Sequence, residues 1–141
     1  MILLDTNVIS ALMRDPVDEQ VVRWLNQQPR SSVGTTSINI FENLFGIHLL
    51  PEGKRRTALV LAFERVIGEA LHGNIAGFDH AAAEQAAELE AARRRRGRPG
   101  DARDTMLAGI VLANHATLAT RNVKHFEEIA KWVVNPWGNE K

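Results

Sequence analysis

A mostly parallel β-sheet covered by helices is the fold this sequence predicts. Short apolar runs such as Met1–Leu4 read as strands buried on both faces. They alternate along the chain with longer segments of helical periodicity, and that alternation favours an α/β domain. Between these segments stand Pro, Gly, Asn and Asp, with no low-complexity linker and no internal repeat. The 141 residues are therefore taken as one domain, residues 1–141.

The first strand, Met1–Leu4, gives way at once to Asp5-Thr6-Asn7, a cluster suited to starting a helix. Val8, Ile9 and Leu12 carry a short helix that Asp15-Pro16 stops. Val21, Val22, Trp24 and Leu25 mark a second, ending near Gln28-Pro29. Ser32 to Thr36 leans towards a strand. Ser37 is the expected cap of the next helix, whose apolar residues are Ile38, Phe41, Leu44, Phe45 and Leu49. Pro51-Glu52-Gly53 punctuates before a helix from about Lys54 to Leu71. Ile75 to Phe78 reads as a further strand. Asp79 caps an Ala-rich helix running to about Arg96, which Gly97 and Pro99-Gly100 break. Asp101 opens a helix containing Leu107, Ile110 and Val111. Thr117 to Thr120 is a strand left by the turn Thr120-Arg121-Asn122. Phe126 and Ile129 mark a last short helix, and Trp132-Val133-Val134 a final strand before Asn135-Pro136-Trp137. Trp24, Leu25 and Trp137 are either core or partner-facing, and the core is the expectation.

Composition excludes several classes. The chain is 45% hydrophobic and 24% charged, which argues against disorder. It lacks cysteine, so no disulfide, thiolate metal site or cysteine nucleophile is expected. No stretch approaches a membrane span and the N-terminus lacks the features of a signal peptide, so a cytoplasmic address and no membrane partner are expected. Formal net charge is zero, so a case for nucleic acid must rest on local patches. No Gly-rich phosphate loop and no hydrolase serine elbow are present. The five histidines form no metal or nucleophile pattern, and a surface role is expected for each.

The chemistry lies in the acids. Asp5 stands where a strand hands over to a helix, and in open α/β sheets that carboxyl end is where ligands bind. Glu42 has Ile38, Phe45 and Leu49 at four, three and seven residues, which puts it on the apolar side of its helix. Asp104 stands likewise against Leu107, Ile110 and Val111. Two ionised carboxylates about 4 Å apart repel by ~4 kcal/mol at an effective dielectric of 20. Three that converge call for a cation, and oxygen-only donors suit Mg²⁺, with Mn²⁺ as a second choice. Each acid also has an ordinary reading. Asp5 could be only a helix cap, Glu42 could pair with an Arg or Lys of another helix, and Asp104 could belong to a capping box with Asp101.

A resemblance joins these residues. Met1-Ile2-Leu3-Leu4-Asp5-Thr6-Asn7-Val8 looks like the opening of a PIN-domain ribonuclease. Asp104 through Ala113, followed by Leu118-Ala119-Thr120-Arg121-Asn122-Val123-Lys124-His125-Phe126, resembles that family's second signature. The ending Asn135-Pro136-Trp137 is similar to FitB-type members. The resemblance spans the whole chain and implies a PIN-like α/β/α sandwich with a five-stranded, mostly parallel sheet. It also implies Mg²⁺-dependent cleavage of RNA, with Asp5, Glu42 and Asp104 as catalytic and metal-site acids. Small PIN proteins of this kind are usually VapC/FitB-type toxins of type II toxin–antitoxin pairs. A homodimer, a cognate VapB/FitA-like antitoxin and an indirect link to operator DNA through that antitoxin follow as expectations. The family often places a fourth acid where this chain has Asn122, whose carbonyl oxygen can still bind an ion or water without bringing charge. Thr120 could orient a carboxylate or water through its hydroxyl, or be only a β-branched strand residue.

Arg93, Arg94, Arg95, Arg96, Arg98 and Arg103 form the one dense basic cluster. Their nearness in sequence to Asp104 suits contact with RNA phosphates. Cations at a helix C-terminus also complement its dipole, so a solvated face is the alternative. Two other functions compete. One is a catalytically weak PIN scaffold that only binds RNA or protein, motivated by Asn122. The other is an Asp-based phosphotransfer domain, receiver-like or haloacid-type, and the haloacid type would want a second Asp where the chain has Asn7.

Overall fold

The computed structural model describes residues 1–138. Five short strands form one sheet in the order β3-β2-β1-β4-β5, and every pairing is parallel. The strands are β1 (Ile2–Leu4), β2 (Val33–Thr36), β3 (Ile75–Ala76), β4 (Thr117–Ala119) and β5 (Val133–Val134). Between them run α1 (Thr6–Met13), α2 (Glu19–Asn26), α3 (Ser37–His48), α4 (Lys54–Arg65), α5 (His80–Arg95) and α6 (Ala102–Ala113). A π-helical turn, Val66–Ala70, extends α4. The last predicted helix is a kinked 3₁₀ segment, Val123–Trp132, with non-helical backbone at Phe126 and Ile129.

Side chains alternate across the sheet, so neighbours in β1 feed opposite cores. Leu4 packs with Val8, Ile9, Val21, Leu25, Phe63 and Trp137 under α1, α2 and α4. Leu3 packs with Leu107, Ile110, Val111, Leu118 and Phe126 under α6 and the 3₁₀ segment. This is the α/β/α sandwich expected, with an all-parallel sheet. Leu25 and Trp137 are core residues, and Trp24 is partly buried against the same core. Among the described residues no helix is long and apolar enough to cross a membrane.

Two expectations about α3 need correction. Its N-cap is Thr36, whose hydroxyl accepts from the Asn39 N–H, and Ser37 is already the first helical residue. The apolar stripe Phe41, Phe45 and Leu49 faces outward, at 55%, 49% and 70% exposure, while Asn39, Asn43 and Ile47 are buried. Periodicity finds the faces of a helix but not which face a neighbour covers. Here the covered face carries asparagines because it meets Asp5 at the end of β1 and Ser10 on α1.

The sheet also fixes where a site can form. From β1 the chain adds β2 and β3 on one side, then returns to place β4 and β5 on the other. The change of direction leaves a crevice at the carboxyl ends of β1 and β4, the position at which open α/β sheets bind ligands. Asp5 follows β1 and Thr120 follows β4 at that point.

Candidate active site

Asp5 is 6% exposed and caps α1. Its Oδ1 accepts from the Thr6 N–H at 2.8 Å and from Asn39 Nδ2 at 2.8 Å. Its Oδ2 accepts from the Thr120 hydroxyl at 2.6 Å. The capping reading and the site reading thus describe one side chain: the cap fixes the carboxylate in the crevice.

Asn39 organises the next layer. It is fully buried, accepts from the Thr36 hydroxyl at 2.7 Å, and donates to both Asp5 and the Thr6 hydroxyl, the latter at 3.1 Å. Thr6 passes the chain on by donating its hydroxyl to Glu42 Oε1 at 3.1 Å. Glu42 Oε2 lies 3.7 Å from the Arg103 guanidinium, so the ion pair with another helix also forms. Burial is the main influence raising the Glu42 pKa. The Thr6 hydrogen bond and Arg103 oppose it, and the charges of Asp5 and Asp104 add to it.

Asp104 lies in the first turn of α6, whose N-cap Asp101 accepts from the N–H groups of Arg103 and Asp104. Its Oδ2 is 3.3 Å from His125 Nδ1. Burial is again the first cause of a raised pKa, followed by the charge of Asp101. His125 lowers it and Asp5 raises it further.

The three acids therefore sit within one another's electrostatic field, at one end of the sheet. The expected convergence on a single spot is not met at coordination distance. Among the described residues no group of three Asp, Glu or His side chains stands ready to hold a metal ion. Each carboxylate is drawn to its own partner: Asp5 to Thr120 and Asn39, Glu42 to Thr6 and Arg103, Asp104 to His125.

Other predicted residues divide. Thr120 touches Asp5 through its hydroxyl, and Asn7 Nδ2 and the Asn122 N–H both donate to it, at 3.4 and 3.0 Å. The Asn122 side chain is exposed on the turn leaving β4. Arg94, Arg95, Arg96 and Arg98 are exposed, Arg94 in an ion pair with Glu90. Arg93 must be removed from the surface cluster. It is 5% exposed and donates to Glu128 at 2.6 Å and to Thr105 at 2.7 Å. That network ties the end of α5 to α6 and the 3₁₀ segment, and an arginine so engaged is not available to RNA.

Three participants went unread in the sequence. Asn39 could have been found from its position three residues after Thr36, the spacing of a capping pair. Thr6 is a turn residue in sequence but a relay between Asp5 and Glu42 in space. His125, expected at the surface, is half exposed yet reaches Asp104, a contact across 21 residues that no local pattern encodes.

Comparison with known proteins shows which family the chain resembles. The family model for the PIN domain matches residues 2–131. VapC ribonuclease Y4jK of Sinorhizobium fredii is 34% identical over 97% of this chain and 98% of its own length. Toxin FitB of Neisseria gonorrhoeae is 34% identical over 97% of this chain and 99% of its own. Among solved structures, a chain of FitAB bound to the IR36 DNA fragment superposes with a TM-score of 0.85 at 34% identity, covering 100% of this chain and 99% of that one. The match to the family model and the full-length likeness to a VapC ribonuclease and to FitB identify this chain as a member of the PIN-domain family.

Proposed function

We propose that the protein is a Mg²⁺-dependent endoribonuclease and the toxin of a VapBC/FitAB-type toxin–antitoxin pair. The observation that carries this reading is the Asp5 carboxylate, held by Thr6, Asn39 and Thr120 at the switch point of the sheet, with Glu42 and Asp104 repelling it and each other. The names of the two relatives, a VapC ribonuclease and a toxin, support the activity and the role.

The donor set fits a hard divalent ion. It offers carboxylate oxygens and no sulfur, and such an ion offsets both the burial that chiefly raises the Glu42 and Asp104 pKa values and the smaller repulsion from neighbouring acids. Asp5, Glu42 and Asp104 would hold Mg²⁺, or Mn²⁺ in its place. When bound, the ion supplies positive charge to a scissile phosphodiester and makes water a better nucleophile for in-line hydrolysis. Thr120 and Asn39 fix the Asp5 oxygens, Thr6 fixes one oxygen of Glu42, and His125 orients Asp104. The exposed Arg94, Arg95, Arg96 and Arg98 draw the RNA backbone towards an otherwise acidic opening.

A cognate antitoxin is the expected partner, in line with solved complexes of FitAB and VapBC, some with DNA. Contact with operator DNA would run through the antitoxin. A homodimer in the cytoplasm completes the reading. The alternative of a catalytically weak scaffold rests on Asn122, which brings no fourth charge.

The test is cleavage of RNA by the wild type, Asp5→Asn and Asp104→Asn proteins in Mg²⁺ and in EDTA. Cleavage by the wild type alone, and only with the ion, is the expected result. Full activity in EDTA, or in either variant, would end the account. Co-expression with a cognate VapB/FitA-like antitoxin should give one larger species on sizing; two separate species would count against the toxin role.

A further inference from the structure

Arg103 occupies an unusual place. It precedes Asp104 on the first turn of α6, and its NH1 lies 3.7 Å from Glu42 Oε2. Its guanidinium carbon stands 5.9 Å from the centre of the Phe41 ring. With Ile38, Phe41, Phe45 and Met106 it lines an apolar groove of about 600 Å³ between α3 and α6, beside the acids. Arg103 is thus an arginine in direct contact with a proposed metal-site carboxylate.

Three physical points follow. The guanidinium presents a planar fork of N–H donors, so the contact with a carboxylate is directional as well as charged. The pair is partly solvated, with the two side chains 43% and 26% exposed, and solvated ion pairs are weak. A divalent ion binding Glu42 competes with Arg103 for the same oxygen. Once released, the guanidinium is still held at the rim by the face of the Phe41 ring, whose centre stands 5.9 Å from its carbon. Its planar donors then match what enters the crevice next, a phosphodiester of RNA.

We propose that Arg103 is an exchangeable counter-cation: it pairs with Glu42 before a divalent ion binds and, once displaced, holds a backbone phosphate of the incoming RNA strand. The proposal rests on the nuclease reading above and gives it a specific cation. It makes two predictions of opposite sign. Removing Arg103 strengthens metal binding, because a competitor is gone, and weakens nucleic-acid binding, because a phosphate ligand is gone. A residue that only stabilised α6 would not separate the two.

The experiment uses the full chain and Mn²⁺ alone as the metal probe, titrated calorimetrically into wild type, Arg103→Gln, Arg98→Gln, Glu42→Gln and the Glu42→Gln/Arg103→Gln double variant. Arg98 is the control, exposed near Asp104 but lining a different cavity from the one Arg103 lines. Arg103→Gln should bind Mn²⁺ about fivefold more tightly than wild type, the scale of one solvated ion pair. Arg98→Gln should change little, and Arg103→Gln should have no effect where Glu42 is already Gln. Binding of a fluorescein-labelled oligothymidylate, which carries the phosphate backbone without being RNA, is then followed against salt in saturating Mn²⁺. The slope of log affinity on log salt should fall by about one in Arg103→Gln. Unchanged or weaker Mn²⁺ binding in Arg103→Gln, an equal gain in Arg98→Gln, a gain that persists without Glu42, or an unchanged salt slope would each overturn the exchange. Absence of Mn²⁺ binding in every variant would instead overturn the metal-dependent nuclease reading on which it stands.

Discussion

The Thr120 hydroxyl donates a 2.6 Å hydrogen bond to Asp5 Oδ2 across 115 residues of chain. The contact is a consequence of strand register. Leu4 pairs with Ala119 in the parallel β1–β4 ladder, so the next residue of each strand emerges beside the other at the carboxyl edge. Thr120 is fully buried and Asp5 nearly so, which leaves the carboxylate dependent on protein donors rather than water.

Thr120→Val keeps the shape and removes the donor. A hydrogen bond to a charged group contributes about 1.5–3 kcal/mol, so the urea midpoint should fall by a corresponding amount. RNA cleavage should fall as well, because an Asp5 oxygen loses its fixed direction. Thr120→Ser retains the hydroxyl and should recover most of both. If Thr120→Val matched wild type in stability and rate, the hydroxyl would be only incidental to a β-branched residue.

Asn39→Ala removes a second donor to the same carboxylate, the donor to the Thr6 hydroxyl and the acceptor of the Thr36 hydroxyl, while the backbone cap bond to Thr36 remains. A loss of about 2 kcal/mol or more is expected from the unsatisfied groups left behind. Because Asn39 and Thr120 serve opposite oxygens of one carboxylate, the double variant with Thr120→Val should depart from additivity by more than about 0.5 kcal/mol. Strict additivity in a double-mutant cycle would mean that Asp5 does not couple them.

Glu42 and Asp104 make a prediction about pH. Both have folded-state pKa values raised above the ordinary 4.5 and 3.8, chiefly by burial. A carboxyl raised in this way favours the fold when protonated. Its contribution is complete below the ordinary pKa and is lost as pH rises through the elevated value, so at pH 7 both ionised groups oppose folding. Asp18 and Glu90 act in the reverse sense, being lowered by the Trp137 and Arg94 side chains respectively, with contributions lost as pH falls. The difference between wild type and Asp104→Asn isolates one group. In EDTA the variant should melt a few degrees above wild type at pH 7, and the gap should close towards pH 4. Added Mg²⁺ should also narrow it by stabilising the wild type. A wild type that melts higher at neutral pH without metal would contradict a net cost of ionised Asp104 in the fold.

How much of this was visible in the sequence depends on how local each cause is. Asp5 was legible because a strand-to-cap handover is written in adjacent residues, and the alternation of strands and helices named the architecture. The orientation of α3 was not, since Phe41 and Phe45 are as apolar as any core pair and stack on each other in solvent at 5.9 Å. Only the tertiary position of Asn39 beside Asp5 decides which face turns in. Arg93 shows the same limit. In a run of four arginines nothing local distinguishes the one that Glu128 and Thr105 draw inside. The pairings of Glu42 with Arg103 and of Asp104 with His125 likewise depend on how α3, α6 and the 3₁₀ segment are assembled.

Two glycines should respond to the same substitution with opposite signs. In a helix interior Gly→Ala ordinarily stabilises by roughly 0.5–1 kcal/mol through backbone entropy. Gly46 on α3 is exposed, and an added Cβ meets nothing within 4 Å, so Gly46→Ala should deliver that gain. Gly109 on α6 faces the Ala-rich α5, and its Cβ would stand 2.5 Å from the Ala82 carbonyl oxygen and 2.8 Å from Ala86 Cβ. Backbone cannot swing aside as a flexible side chain can, so the two helices must part. Overpacking of this kind costs about 1–3 kcal/mol, which outweighs the entropic gain. Gly109→Ala should therefore lower the urea midpoint while Gly46→Ala raises it. Because α6 also carries Asp104, the displacement should reduce RNA cleavage in Gly109→Ala beyond what the fraction unfolded explains. Equal stabilisation by both substitutions would show that α5 and α6 are not in close backbone contact, and would remove the packing that sets Asp104 opposite Asp5.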